Sequence, residues 1–455
     1  MDESTTHTDL PTAAEIRDAL EMAVRLQRRE QFDDAEKIYA SVLSLVPDEP
    51  NALNFLGVLR HQQGRVDEAL HFIARSIQQQ PGEGGPWLNL ANVLLESGQY
   101  QEAVDALKRV IELKPESTGV YNNLAILHRR MGNQQAAEAC LLRVIEMDPT
   151  SSFGHGNLSN LYYETKRYKE SIDHGLQAIG SDRKGHGSAR YLVALSLLAM
   201  GERERAIENL QQWIEDEPDN PQPRHHIAAL GIGTVPERAS DAYVQDEFDQ
   251  FAKSFDSKLE RLGYRAPGLV REALDSLGAR LPTGGDILDA GCGTGLCGPL
   301  LRPLGARLVG VDLSGGMLEK ARLRACYDEL HHRELTEFIE ACADRFDIIA
   351  SADTLIYFGN LGPVMAAVRR ALKPGGVIAA TVEALADDSV DHVLQVNGRY
   401  AHSQSYIRSL VEHYGFELVV MRPEVLRKEE RKDVSGWLFV AIKPASAGSA
   451  QASKP

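Results

Sequence analysis

Through the first 220 residues, apolar side chains recur at three- and four-residue steps in short stretches separated by polar turns. That period predicts amphipathic helices. Prolines fall at 47, 81, 115 and 149, three consecutive steps of 34, and Pro218 follows two periods and one residue later. Small residues hold a second phase at Ala35, Ala69, Ala103, Ala137, Ser171 and Ala206, and glycines mark turns at Gly64, Gly98, Gly132 and Gly201. Each period therefore reads as two helices joined by a tight turn. A lone helix pair cannot bury its apolar face, so successive pairs must stack on a continuous core and curl into a superhelix. Six units are expected over 16–220, at 16–49, 50–83, 84–117, 118–151, 152–186 and 187–220. Glu30 and Lys166 replace the turn glycine in the first and fifth, and Gly175 falls inside an expected helix.

From residue 221 the helical period stops. Pro221, Pro223, Gly231, Gly233 and Pro236 punctuate a linker, 221–245, that opens with a capping helix around Arg224–Leu230. Phe248, Phe251, Phe255, Leu259 and Leu262 then return at three- and four-residue steps. They predict an amphipathic helix that either docks on the next domain or covers its glycine loop as a lid.

The second half alternates strand and helix. Strands are expected at Asp286–Asp289, at Arg307–Val311 running into Asp312, and at His332–Leu335, Phe346–Ser351, Val377–Val382, Glu417–Arg422 and Trp437–Ile442. Helices are expected at Val270–Leu277, Met317–Arg324, Val364–Leu372 and Ser405–Tyr414. This alternation implies a seven-stranded, mainly parallel sheet covered on both faces, with the segment from Gly436 returning as an antiparallel edge. The termini, 1–15 and 444–455, are expected to be disordered. The fold class is thus multidomain: an all-α repeat superhelix followed by an α/β Rossmann-like domain over 246–443.

Chemistry concentrates at DILDAGCGTGLCG, Asp286 to Gly298. A strand ends at Asp289, and Gly291, Gly293 and Gly295 follow at every second position. Glycines there let the backbone turn sharply and approach a ligand without Cβ clashes. Asp312 ends the next strand 21 residues after Gly291, where a carboxylate accepts ribose hydroxyls. Position 296 is leucine, so the dinucleotide G-x-G-x-x-G spacing is missing. Leu313 and Met317 form an apolar shelf beside Asp312.

Composition and charge exclude several other classes. The net charge is −16; residues 1–240 carry 24 basic against 35 acidic side chains, and residues 241–455 carry 25 against 30. Neither half offers the basic field that nucleic-acid binding requires. No run approaches the length of a membrane span, and the opening MDESTTHTDLPT is polar and acidic, unlike a signal peptide. The expected location is cytoplasmic. Five cysteines form no C-x-x-C pair, His225-His226 and His331-His332 are adjacent rather than ligand-spaced, and no metal is assigned.

Two resemblances follow from these residues. The first half resembles the tetratricopeptide repeat family, with Trp87, Leu90, Tyr100, Ala103 and Pro115 in its signature places. The resemblance implies a concave groove for a protein or peptide partner. Asn89, Asn123 and Asn157 recur at one phase of it, with Asn92 and Asn160 three positions further on. The combination LDAGCGTG, GVDLS, FDIIASADTLIYF and LKPGG closely resembles the class I S-adenosylmethionine-dependent methyltransferases. More narrowly, the FDxxAxxFDxxLxxLxYRxP lead-in and GRYAHSxxYIRxL are similar to predicted methyltransferases appended to tetratricopeptide repeats, and to the Williams–Beuren region methyltransferase-like proteins.

That resemblance implies S-adenosyl-L-methionine as cofactor. It would set Asp289 near the methionine ammonium and Gly291, Gly293 and Gly295 alongside the cofactor. Asp312 would take the ribose hydroxyls, Leu313, Met317 and Leu335 the adenine ring, and Glu334 the adenine amino group. Asp353 would line the mouth where the methyl group emerges, or else cap the segment that begins at Thr354. Methyl transfer needs alignment first, and a base only where the nucleophile arrives protonated. Tyr357, Glu383, Arg399, Tyr400, His402 and Tyr406 lie near strand ends. His402, in the insertion Asp387–Ser405, is the candidate base, with Tyr357 beside it as the second catalytic candidate. The expected function is transfer of a methyl group to a protein or peptide recruited by the repeats. The alternatives are a small-molecule methyltransferase with the repeats as scaffold, or a non-catalytic, cofactor-sensing interaction protein.

Overall fold

The computed structural model describes residues 11–180, 185–252, 255–429 and 432–445. They form two compact units that divide at Arg203 and Glu204, inside the sixth expected repeat. The expectation of disordered ends concerns mostly residues outside those described. Within them, however, the first helix begins at Ala13. Thr12 caps it: the side chain accepts from Glu15 N while the Glu15 carboxylate accepts from Thr12 N at 2.8 Å. That reciprocal box satisfies two N-terminal donors and sets the start ahead of the expected residue 16.

The first unit is all-helical. Its pairs are Ala13–Arg28 with Phe32–Leu45, Pro50–Gln62 with Val66–Gln79, Gly84–Glu96 with Tyr100–Leu113, Thr118–Arg130 with Gln134–Met147, and Ser152–Glu164 with Tyr168–Ile179. Gly187–Ala199 opens a sixth pair whose second helix, Arg203–Asp216, runs into the next unit. Ala35, Ala69, Ala103, Ala137 and Ser171 are fully buried, which is why only small residues hold that phase. Gly175 sits within a helix for the same reason: a Cβ there would lie 2.5 Å from Val193 Cγ2.

The turn positions share a left-handed backbone. Gly64, Gly98, Gly132 and Gly201 have φ of 77, 79, 78 and 79°. Glu30 and Lys166 adopt φ of 60 and 62° although they carry side chains. The helix-turn-helix geometry imposes the conformation whatever the residue, at a cost of roughly 1–2 kcal/mol for an L-residue.

Among the described residues, the second unit is built on one nine-stranded sheet: β1 Asp286–Ala290, β2 Arg307–Asp312, β3 Glu329–His332, β4 Phe346–Ser351, β5 Leu372–Ala384, β6 His392–Leu394, β7 Tyr400–His402, β8 Glu417–Glu429 and β9 Lys432–Ile442. Strands β3-β2-β1-β4-β5 run parallel in that order. Strand β9 pairs antiparallel with β5, and β8 pairs antiparallel with β9. The antiparallel return is as expected, but β8 lies outside it. Successive residues alternate between two cores. Leu288, Ile349, Ile378 and Phe439 pack on one face, and Ile287, Ile348, Val377 and Leu438 on the other. Such two-sided burial is why the strands read as continuous apolar runs.

Three local expectations change. The third strand ends at His332, because its register with β2 runs from Val309↔Glu329 to Asp312↔His332 and both strands stop together. The residues after it enter the helix Leu335–Glu340, whose N-cap is Glu334. The single helix expected from Phe248 to Leu262 is two, Asp241–Phe251 and Phe255–Arg261. Lastly, the Asp387–Ser405 insertion forms the hairpin β6–β7. Pairing of β4 with β5 ends at Ser351↔Ala380, and β7 takes up the same side of β5 from Glu383↔Ala401. Short runs with few residues of alternation left no clear signal for those two strands. The capping helix is present as Pro221–Ala229, and it packs on this hairpin, with His225 Nε2 2.8 Å from Gly398 O; the His225 ring also lies tilted against Tyr243 of the helix Asp241–Phe251, at 3.9 Å between centroids.

His402 closes β7 and is fully buried. Its Nε2 lies 2.8 Å from Phe358 O and 3.2 Å from Gly359 O, and its ring stacks on Tyr406. Burial pushes its pKa down to about 4, so the ring is neutral and Nε2 donates to those carbonyls.

Two predictions follow from this packing. Lys166→Gly relieves the left-handed strain and stabilises the full chain by about 1 kcal/mol, seen as a raised Tm; an unchanged or lower Tm contradicts the strain. His402 binds its proton more weakly folded than unfolded, where its pKa is about 6.5. Stability is therefore lost as pH falls from about 6.5 towards 4, with about 2 kcal/mol gone at pH 5. His402→Gln flattens that slope in denaturant titrations at pH 7.5 and pH 5. Identical slopes in both proteins would exclude His402 as the source.

Candidate functional site

A cavity of about 240 Å³ opens at the C-terminal ends of β1, β2 and β4. The sheet order 3-2-1-4-5 reverses between β1 and β4, which leaves a crevice beyond the strand ends at that point. Phe248, Phe251 and Phe255, with Leu259 and Leu262, line the same cavity, so the aromatic stripe both docks its helices and walls the site. Polar ties fasten those helices to the loops below. Asp249 accepts from Ser314 Oγ and from Gly316 N, and Asp256 bonds Thr294 Oγ1 and Arg324.

The glycine loop begins where β1 ends. Gly291 and Cys292 both donate their N–H to Val311 O, at 2.9 and 3.0 Å, which folds the loop back over the end of β2. Gly291 has φ of 75°, and a Cβ there would meet the Thr354 side chain at 2.2 Å. Gly293 has φ of 53° with nothing within 4 Å of an added Cβ, so its backbone is presented bare to the cavity. Its N–H donates to Asp312 Oδ2 at 2.8 Å, while Oδ1 accepts from Ser314 N at 2.9 Å. Burial raises the Asp312 pKa, and the backbone donors at Ser314 and Gly293 oppose that rise. A carboxylate has about four acceptor sites, so Asp312 retains capacity towards the cavity it lines.

Of the sequence-selected residues, Gly291, Gly293, Asp312, Leu313, Met317, Glu334, Leu335, Asp353 and Tyr357 line this cavity. Asp289 and Gly295 do not. Asp289 is buried beneath the loop, where its carboxylate accepts the Tyr327 hydroxyl at 2.6 Å and burial raises its pKa to about 7. A Cβ on Gly295 would point at Tyr327 and Arg324. His402 is not brought to the cavity either: it is consumed by the Phe358 and Gly359 carbonyls. Glu334 lies on the cavity wall and also caps its helix, accepting from Glu337 N at 2.8 Å.

Asp353 does not cap a helix. It holds a left-handed backbone, φ 55°, with Oδ1 accepting from Thr381 Oγ1 at 3.2 Å and Oδ2 from Arg427 Nη1 at 2.5 Å. Arg427 also bonds Glu383 and, through Nε, Glu429 at 2.8 Å. Arg399 closes a ring, with Nε on Glu383 at 2.6 Å and Nη2 on Glu429 at 2.7 Å. Sequence reasoning found Glu383 and Arg399 but missed Arg427, Glu429 and Tyr327. Arg427 and Glu429 are two apart on β8, so both point to the same face of the strand; that alternation was the available signal. Tyr357 stands at the same end, its ring 5.4 Å from Phe248, with burial holding its phenol protonated. Cys292 and Cys297 are buried with thiol pKa values raised, which disfavours thiolate chemistry.

In the repeats, the selected asparagines occupy equivalent first helices. Asn89 Nδ2 donates to Asn54 Oδ1 of the preceding repeat at 3.0 Å, although Asn54 stands one residue out of phase and Phe55 holds the equivalent position. Asn123, Asn157 and Asn160 are half-buried and Asn92 is exposed.

Comparison with known proteins agrees with this architecture. Residues 262–420 match the family described as methyltransferase domain. Tetratricopeptide-repeat families match 48–116, 86–150, 122–186 and 188–220. The chain is 33% identical over 172 residues to the malonyl-[acyl-carrier protein] O-methyltransferase of Yersinia pestis, a match covering 37% of this chain and 60% of that protein. It is 40% identical over 96 residues to the ubiquinone biosynthesis O-methyltransferase of Bartonella quintana, covering 20% of this chain and 38% of that one. It therefore spans less than two thirds of these relatives' length. Among solved structures it is similar to pilF of Pseudomonas aeruginosa, at 16% identity and a TM-score of 0.40 over 47% of this chain and 98% of that one. Among the described residues no helix is long and apolar enough to cross a membrane. The chain is thus a tetratricopeptide-repeat array followed by a methyltransferase domain.

Proposed function

We propose that the protein is an S-adenosyl-L-methionine-dependent methyltransferase whose repeats recruit a protein or peptide acceptor. One observation carries the cofactor assignment. The bare backbone at Gly293 and the Asp312 carboxylate that grips it form one wall of the cavity, with Leu313, Met317 and Leu335 beside them. This cradle fits the group. The space in front of Gly293 is what a Cβ would fill, Asp312 keeps acceptor capacity for a diol, and the apolar shelf suits an adenine. When bound, S-adenosylmethionine supplies an electrophilic methyl group.

The chain's own residues do the rest. Asp312 orients the ribose and Glu334 stands at the adenine edge. Phe248, Phe251 and Phe255 exclude water from the cavity, and alignment within that enclosure supplies the rate. Asp289, bonded to Tyr327 beneath the loop, acts as a support for the loop rather than as a ligand. The matched O-methyltransferases favour methyl transfer as the reaction class.

The repeats favour a macromolecular acceptor. Asn89, Asn92, Asn123, Asn157 and Asn160 recur on equivalent helices, and side-chain amides there offer both donors and acceptors to an extended peptide backbone.

Asp312→Asn should weaken S-adenosylmethionine binding about 10- to 100-fold, the worth of a hydrogen bond to a charged group, when measured by calorimetry. Affinity within twofold of the wild type would remove Asp312 from the site. For the array, labelled-methyl transfer in cell extract should appear in the macromolecular fraction. Asn89→Ala combined with Asn123→Ala should reduce it at unchanged cofactor affinity. Label found only in small molecules would reject recruitment by the repeats.

A further inference from the structure

At the far end of the cavity from Asp312, five charged side chains form a closed assembly. Arg427, Glu383, Arg399 and Glu429 make a four-membered ring of ion pairs, and Asp353 hangs from Arg427 on the cavity side. Arg427 and Glu383 are 5 and 4% exposed and Asp353 is 11%. Burying so much charge is costly unless each group is paired, and here two guanidiniums face three carboxylates. One negative charge is left over. Within the ring, each glutamate is held by both arginines, and Gln395 Nε2 adds a bond to Glu383 at 3.0 Å. Asp353 has one guanidinium and one hydroxyl, so the surplus charge and the remaining acceptor sites both lie at its carboxylate. Its left-handed backbone marks a position held against strain, as binding sites often are. Glu247 lines the same cavity and accepts from the neutral Gln222 Nε2 at 3.3 Å.

We propose that this end of the cavity takes the methyl acceptor as a neutral or cationic N–H or O–H group and excludes a carboxylate, with Asp353 accepting the acceptor's hydrogen bond. Arg427 is the positioning residue. It fixes Oδ2 of Asp353 and leaves the other lone pairs turned to the acceptor. Burial raises the Asp353 pKa and the Arg427 guanidinium opposes that rise; a carboxylate arriving there meets an acid whose compensating cation is already shared among three acids, and two carboxyl groups at one site disfavour each other's charge. An amine or hydroxyl meets an unsatisfied acceptor. Phe248 and Tyr357, edge to face at 5.4 Å, form an apolar wall of the same cavity. The inference rests on the proposed methyl-transfer reading and narrows its substrate class to amines and hydroxyls.

The test uses the full chain loaded with S-adenosylhomocysteine and three probes that share one ring: phenol, benzylamine and benzoate. Dissociation constants come from ligand-observed NMR at neutral pH. Phenol and benzylamine are expected to bind, with benzoate at least about tenfold weaker. Asp353→Asn should bring benzoate to within about threefold of phenol. Arg427→Lys keeps the charge but loses the fork, and should shift the phenol-to-benzoate ratio while S-adenosylhomocysteine affinity stays within about twofold. Benzoate binding as tightly as phenol to the wild type overturns the inference, even where the variants fail to fold. An unchanged ratio in well-folded Asp353→Asn overturns it too. Failure of S-adenosylhomocysteine to bind at all overturns the methyl-transfer reading itself, a separate and distinguishable result.

Discussion

The carboxylate of Asp312 joins two loops that the sheet alone would leave apart. One oxygen takes Gly293 N and the other takes Ser314 N, so the turn after β1 and the turn after β2 share one anchor. The rest of the site depends on that join. With Gly293 pulled towards β2, the loop stands clear of the strand ends and the cavity exists; Val311 O reinforces the fold-back through Gly291 and Cys292. The helix after Ser314 then begins where Leu313 and Met317 reach the cavity wall. A buried carboxylate held by backbone donors resists displacement, since breaking either bond strands a polar group.

Around this anchor the cavity is electrically divided. The Asp312 side combines two acids, Asp312 and Glu334, with apolar walls. The Asp353 side carries a dense set of ion pairs whose members come from the ends of β4 and β5, the hairpin turn before β7, and β8. The insertion hairpin supplies Arg399 and continues the sheet past the point where β4 stops. The capping helix Pro221–Ala229 and the aromatic helices pack on that hairpin and over the loops, so the segments preceding the sheet in sequence help to wall its site.

The periodic features were legible because each reflects a requirement repeated along the chain. A 34-residue step in Pro, Ala and Gly requires repeated helix pairs, and the two repeats in which Glu30 and Lys166 replace the turn glycine keep the same left-handed turn. Continuous apolar runs gave the parallel strands, since two-sided burial leaves no polar phase. The Gly291–Gly293 loop and Asp312 were legible from spacing alone. The short third strand was misplaced by three residues, because a run of His and Arg has no alternation to set its register and only pairing with β2 does.

What the sequence by itself determined is therefore local and periodic: helix pairs, strand runs, a glycine turn and an acid at a fixed distance. What the tertiary structure decided is which side chains meet. Asp289 looked like a ligand and lies under the loop with Tyr327; His402 looked like a base and is spent on two carbonyls. Arg427 looked like one more strand residue, yet it gathers Asp353, Glu383 and Glu429 from positions 44 or more residues away and from two residues on. Spacing along a chain constrains backbone conformation, whereas burial and charge pairing depend on contacts between distant segments, and those exist only once the sheet has closed.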